Sequence, residues 1–186
     1  MCPVRCFAFP PLFAAVVLLG APARLSAGTA CESSLPFNID AGTLEPVAIA
    51  LLQQSPTFRQ QCQHIAATIV LRVQVRVVPA LPASRGETTI RRYDTGALRA
   101  EIQLSFGDDY IELLAHEFEH VLEQVERVSL TQQAASGQAW LTQSGAFETA
   151  RAMDVGARAR HESELLAVEP VEANRRAAPR PRHPLE

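Results

Sequence analysis

The chain has 186 residues, enough for one domain with short tails. A hydrophobic fraction of 47% and a net charge of −3 fit a folded protein and exclude the low-hydropathy, high-charge class of disordered chains. The same near-neutral balance shows no basic stripe, so nucleic acid is not an expected partner.

Residues 1–27 carry the three-part layout of a signal peptide: Arg5, an apolar run from Phe7 to Leu19, then small residues. Ala21-Pro22-Ala23 offers a cleavage site, and Ala27 or Ala30 are later alternatives. The apolar run is short for a span of about 20 residues and is interrupted by Pro10 and Pro11. A cleaved leader and an exported product, periplasmic or secreted, are therefore expected, without stable membrane insertion after cleavage; an uncleaved anchor is the alternative. A lipoprotein acylated at Cys31 fits less well, because Gly28-Thr29-Ala30 lacks the usual aliphatic residue. Cleavage removes Cys2 and Cys6 and leaves Cys31 and Cys62, an even pair that reads as a disulfide in an exported protein. Such a bridge closes a loop of about 30 residues and typically contributes 2–4 kcal/mol. Two unrelated buried thiols are the other reading.

Residues 31–168 then form the expected domain. Leu44 to Gln53 is apolar enough for a short buried helix, and Ser55-Pro56 reads as N-cap and first position of a second helix. Phe58, Cys62 and Ile65 give that helix an inward face. Ile69 to Val78 alternates as a half-buried strand ended by Pro79, and "PALPASRG" is a loop by composition. "ETTIRRY" and "ALRAEIQLSF" flank the turn Asp94-Thr95-Gly96, an antiparallel hairpin signal, with Leu98, Ala100, Ile102, Leu104 and Phe106 facing inward. With the Ile69–Val78 strand beside it, a three-stranded antiparallel sheet is expected.

Asp108 suits an N-cap, and Ile111, Leu114, Ala115, Phe118, Val121, Leu122 and Val125 recur at helical spacing over about four to five turns. "SLTQQAASGQAW" reads as a polar connection. Ser144 or Gly145 opens a second long helix, with Phe147, Ala150, Met153 or Asp154, and Ala157 on successive turns. From Glu169 to residue 186, four prolines and four arginines without apolar period read as a disordered tail.

The segment "HEFEH" lies in the first of these helices. Residues four apart stack on one helical face, so His116 and His120 can offer two imidazoles to one ion. Zinc suits imidazole nitrogen, and a catalytic site needs three protein ligands with one position left open. Manganese, cobalt or nickel would accept similar ligands. Glu117 sits at the edge of that face, where it can act as general base. The opposing interpretation is a solvated charged face, because Glu112, Glu119, Glu123 and Glu126 surround the pair.

The motif resembles the zincin metallopeptidases, specifically the glutamate-zincin (gluzincin) branch, over about Tyr110 to Arg160. In that branch HExxH is completed by a Glu near the start of the next helix, which here matches Glu148 in "GAFETARAMD". The resemblance implies metal ligands His116, His120 and Glu148, general base Glu117, a Zn2+ cofactor, and an antiparallel sheet as upper wall. An acid at the N-terminal end of a helix, favoured by its dipole, is the alternative account of Glu148. The family's further acidic residue is matched only loosely by Asp154. The three-histidine variant of the motif is absent, since Glu123 and Glu126 occupy its Gly and third His positions.

Around this set, Asp154 or Glu123 can hold a ligating histidine through its second nitrogen. Tyr93, Tyr110 and His161 are candidates for stabilising an oxyanion. Arg151 and Arg158 are expected to balance nearby acids, His64 to be partly buried, and Trp140 and Phe147 to pack in the core or wall a cleft. His183 belongs to the tail. The fold class is α+β: short N-terminal helices, a small antiparallel sheet, the HExxH helix and a Glu-bearing helix, a minimal zincin-like domain. The expected function is an exported zinc-dependent metallopeptidase-like hydrolase acting on a peptide or protein substrate. The alternatives are a non-catalytic zinc-stabilised binding or structural module, and a structural protein without metal.

Overall fold

The computed structural model describes residues 34–107 and 109–177, with side chains described as far as Leu166. The expected signal segment, Cys31, Asp108 and His183 lie outside the described residues, so the leader and the Cys31–Cys62 bridge are not addressed by it. Cys62 itself is buried.

The fold mixes helices with a small four-stranded sheet, ordered β1-β2-β4-β3. A two-residue strand β1 (Ile39–Asp40) leads through a 3₁₀ turn at Gly42–Leu44 into α1 (Glu45–Gln54). Helix α2 (Pro56–Ala67) starts as expected: the Ser55 hydroxyl accepts from Phe58 N at 3.0 Å, and Pro56 opens the first turn. Phe58, Cys62 and Ile65 are all buried.

β2 (Leu71–Val78) begins later than its alternation suggested, because Ile69 and Val70 stand 75% and 54% exposed before the sheet. β3 (Gly86–Arg92) and β4 (Leu98–Ser105) form the expected antiparallel hairpin. The neighbour relation of β2 differs from the expectation: it pairs β4 in parallel. The chain passes the end of β4 after β2, descends along the outer edge as β3 and turns back between them. Two reversals restore the original direction, so β4 must run with β2. Ser105 fastens the crossing, its hydroxyl accepting from Leu81 N at 3.1 Å and its N–H donating to Arg85 O at 2.8 Å. Phe106, expected inward, is 77% exposed because the strand ends at Ser105.

One face of the sheet is apolar, with Leu71, Val73, Val75, Leu98, Ala100, Ile102 and Leu104 buried in the core beside the helices. The other face carries Arg76, Glu101, Gln74 and Arg99, linked by an Arg76–Glu101 ion pair at 3.3 Å. Strict alternation along parallel strands thus marks a sheet covered on one side only.

Helix α3 (Tyr110–Val125) is capped by Asp109, whose carboxylate accepts from Ile111 N at 3.1 Å. Its inner stripe includes Leu114, Ala115, Phe118, Val121 and Leu122, and the Phe118 ring lies 5.0 Å from that of Phe58. The connection that follows is more ordered than its polarity suggested, containing α4 (Leu130–Ala135) and a hairpin of β5 (Ala139–Leu141) and β6 (Phe147–Thr149).

The last helix, α5 (Ala150–Ala177), therefore starts later than expected. Thr149 ends the strand and its hydroxyl accepts from Ala152 N at 3.0 Å, the geometry of an N-cap. Its buried face is Ala152, Gly156, Ala159 and Ser163; Met153, Asp154 and Ala157 point outward, a change of helical phase from the expectation. The helix also continues past Glu169, through Pro170, where a tail was expected. Among the described residues no helix is long and apolar enough to cross a membrane.

Candidate metal centre

The small buried face of α5 lets it come close to α3. A Cβ added at Gly156 would stand 3.0 Å from both Glu112 O and His116 Cβ, so glycine permits the approach. Arg151 clamps the same pair of helices, pairing with Glu119 at 2.5 Å and Glu126 at 2.6 Å. Arg158 pairs with Asp154. Both arginines thus balance acids as expected.

His116 and His120 project from consecutive turns of α3 toward Glu148, which reaches them from β6 rather than from the first turn of a helix. Glu148 Oε1 lies 3.3 Å from His116 Nε2 and 3.4 Å from His120 Nε2. The three ligand atoms all fall within 4.8 Å of one another, and the group can hold a metal ion. The two carboxylate–imidazole distances fit such an ion, because ligands at about 2.0–2.1 Å on a tetrahedral centre stand about 3.3 Å apart. Glu148 is held in turn by Thr149 N, which donates to the same oxygen at 2.9 Å.

Glu123 and Glu119, two of the acids that a solvated face would expose, are buried. The Glu123 carboxylate stands 3.0 Å from His120 Nδ1 and accepts from the Thr149 hydroxyl at 2.8 Å. A proton on Nδ1 leaves Nε2 free as the ligand atom, so Glu123 orients His120 as an outer carboxylate does in metal sites. Asp154, the other candidate for that role, is exposed and occupied by Arg158. Glu119 accepts from the Gln61 amide at 2.7 Å as well as from Arg151.

Electrostatics follow from this packing. Burial disfavours the charged imidazole of His120, but hydrogen bonds to Glu123 and Glu148 outweigh it and raise its pKa to about 10. Burial also opposes ionisation of Glu148, yet its hydrogen bonds to the two histidines hold it well below the usual carboxylate range. Glu117 moves the other way. Burial raises its pKa, against the opposing pull of the Thr88 hydrogen bond and the two histidines.

Glu117 is buried beneath β3. Its carboxylate accepts from the Thr88 hydroxyl at 2.6 Å, and a Cβ at Gly86 would come within 2.3 Å of its Oε1. Neither residue was evident in the sequence: Gly86 closes a stretch that reads as loop, and Thr88 is an ordinary strand residue. Beside them a cavity of about 330 Å³ is lined by Thr88, Thr89, Ile90, His120, Gln124 and Leu130.

The proposed oxyanion groups lie elsewhere. Tyr93 lines a separate cavity with Phe37 and Val70, the Tyr110 hydroxyl accepts from Gly107 N at 3.1 Å, and His161 is exposed on α5. His64 is exposed rather than partly buried, 3.7 Å from Glu126. Trp140 is 42% exposed and Phe147 only partly buried, so neither belongs to the core.

In comparisons with known proteins, no family model, no curated protein and no solved structure matches the chain.

Proposed function

We propose that the protein is a zinc-dependent hydrolase of the metallopeptidase type, with His116, His120 and Glu148 as ligands and Glu117 as general base. The observation that carries this reading is the meeting of two imidazoles with one carboxylate that stands at tetrahedral ligand spacing from each, with a second carboxylate one residue from the first histidine. Zinc, when bound there, supplies Lewis-acid polarisation of a carbonyl and a water of lowered pKa. The chain's own residues do the rest.

Glu117 takes and returns the proton, and its raised pKa suits a base that must also give the proton up. Thr88 and Gly86 fix where its carboxylate lies. Glu123 keeps the proton of His120 on Nδ1. β3 is the outer strand of its sheet and touches Glu117 through Thr88, so its open edge offers main-chain groups to an extended peptide near the metal centre. Export and the gluzincin likeness belong to the same reading.

Elemental analysis of the full chain, beside His120→Ala, Glu148→Ala and Glu117→Gln, tests the proposal with a casein or peptide-library digest. The expected result is about one zinc per chain in the parent and in Glu117→Gln, loss of zinc in the two ligand variants, and hydrolysis by the parent alone. Zinc retained without hydrolysis by the parent would favour a zinc-stabilised binding or structural module. No zinc in the parent would reject the reading altogether.

A further inference from the structure

We propose that Trp140 forms the wall of the metal centre on its Glu148 side and selects substrates with an aromatic or large aliphatic side chain next to the group that meets the metal. The inference rests on the hydrolase reading for the word substrate, and on the hairpin geometry for the residue.

In the β5–β6 ladder Trp140 pairs directly with Glu148. Directly opposed residues project from the same face of a ladder with Cβ atoms about 5 Å apart. The flanking pair, Ala139 with Thr149, projects from the opposite face and is buried at 4% and 0%. The Trp140–Glu148 face is the one whose carboxylate reaches His116 and His120. A metal ligand and an indole therefore share one short face, and the indole is 42% exposed.

An exposed aromatic beside a charged group gains little by itself, whereas a half-exposed indole next to an ion site offers a flat apolar surface to whatever the ion binds. On the His120 side the cavity is lined mainly by polar groups, Thr88, Thr89, His120 and Gln124, with Ile90 and Leu130 beside them. Trp140 is thus the apolar surface offered at the centre, and it favours a peptide with a bulky apolar residue over a short polar one. The sequence contains a single tryptophan, so its emission reports on this wall alone.

Two measurements test the inference on the full chain. First, cobalt is added to metal-free protein while tryptophan emission and bound cobalt are followed together. Emission is expected to be quenched in step with the first bound cobalt. Cobalt bound without quenching would place Trp140 away from the ion and overturn the inference, and no metal bound at all would overturn both the inference and the hydrolase reading.

Second, the zinc-loaded protein is titrated with acetohydroxamate and with N-acetyl-phenylalanine hydroxamate. The aromatic compound is expected to bind roughly tenfold tighter or better. That ratio should fall toward one in Trp140→Ala and be largely kept in Trp140→Phe, with zinc content confirming that each variant folds. Equal binding of the two hydroxamates by the parent, or a ratio unchanged in Trp140→Ala, would overturn the inference and leave the hydrolase reading untouched. A Trp140-dependent ratio in a protein that cleaves no peptide would support the inference and reject hydrolysis.

Discussion

Glu123 offers the sharpest test of how the centre is organised. It is fully buried, and its two oxygens serve different partners, His120 Nδ1 at 3.0 Å and the Thr149 hydroxyl at 2.8 Å. Glu123→Gln keeps the volume but changes the arithmetic of donors. If the new amide oxygen still accepts from Thr149, its NH2 must face Nδ1. Nδ1 then becomes an acceptor and the imidazole proton moves to Nε2, the atom that must ligate. Loss of such an outer partner typically costs 10–100-fold in metal affinity, about 1.4–2.8 kcal/mol. Zinc affinity measured at pH 7.5 by competition with a chromophoric chelator is expected to fall within that range, while circular dichroism melts show the metal-free variant still folded. Glu123→Ala serves as contrast: it empties a buried site, strands the Thr149 hydroxyl and is expected to cost about 3 kcal/mol or more of stability. Zinc affinities of the parent and Glu123→Gln within threefold of each other would refute the tautomer argument.

Gly156→Ala pushes a methyl group to 3.0 Å from Glu112 O and His116 Cβ, so α5 must move away from α3. Overpacking of this kind costs about 1–3 kcal/mol; a lower Tm and weaker zinc binding should appear together, and an unchanged Tm would contradict the close approach. Gly86→Ala intrudes to 2.3 Å from Glu117 Oε1 and displaces the carboxylate, not the ligands. Zinc content is expected to hold while the hydrolytic rate drops by about 10²-fold, the contribution of a positioned base; equal losses of both would show that the change spreads to the fold. Glu162 ties α5 to the start of α2, accepting from the Ser55 hydroxyl at 2.5 Å, Thr57 N at 3.0 Å and the Thr57 hydroxyl at 2.8 Å. Burial opposes its ionisation, but these bonds prevail and lower its pKa. A lowered folded-state value contributes stability above the unfolded value of 4.5, lost as pH falls through the folded one. Urea titrations should therefore show Glu162→Gln less stable by about 1–2 kcal/mol at pH 7, with the gap closing as pH falls below the unfolded value of 4.5; a gap that widened in acid would reverse the sign of the argument.

What is legible in the sequence is local. The Ser55-Pro56 helix start, the β3–β4 turn and the stripe of α3 are each written within a few residues, in cap chemistry, turn residues and apolar period. Two histidines at helical spacing belong to the same category. What depended on distant partners was less legible. The parallel pairing of β2 with β4 follows from the path of the 79–85 connection, which no alternation pattern encodes. Glu119 and Glu123 were indistinguishable from surface acids, because burial of a carboxylate is decided by Arg151, Gln61 and Thr149 elsewhere in the chain. The start of α5 was misplaced because Ser144 and Gly145 are plausible openers, whereas Thr149 caps the helix while also serving Glu123. Its small inner face, Ala152 and Gly156, carries no hydrophobic period strong enough to fix the phase.

The double duty of Thr149 explains how a ligand on so slight an element can be held in place. Helix α4 has no buried residue, and of the β5–β6 hairpin only Ala139 and Thr149 are buried. Apolar burial of that size cannot fix a carboxylate to a few tenths of an ångström. Direction comes instead from a relay of polar contacts. Ala152 N binds the Thr149 hydroxyl, that hydroxyl donates to Glu123, and Glu123 faces His120; the adjacent Thr149 N–H holds Glu148. Each contact uses a group that the helix start or the buried acid would otherwise leave unsatisfied. The same atoms that begin α5 therefore aim two candidate ligands at one point, and the position of Glu148 is a consequence of capping the helix rather than of lying within it.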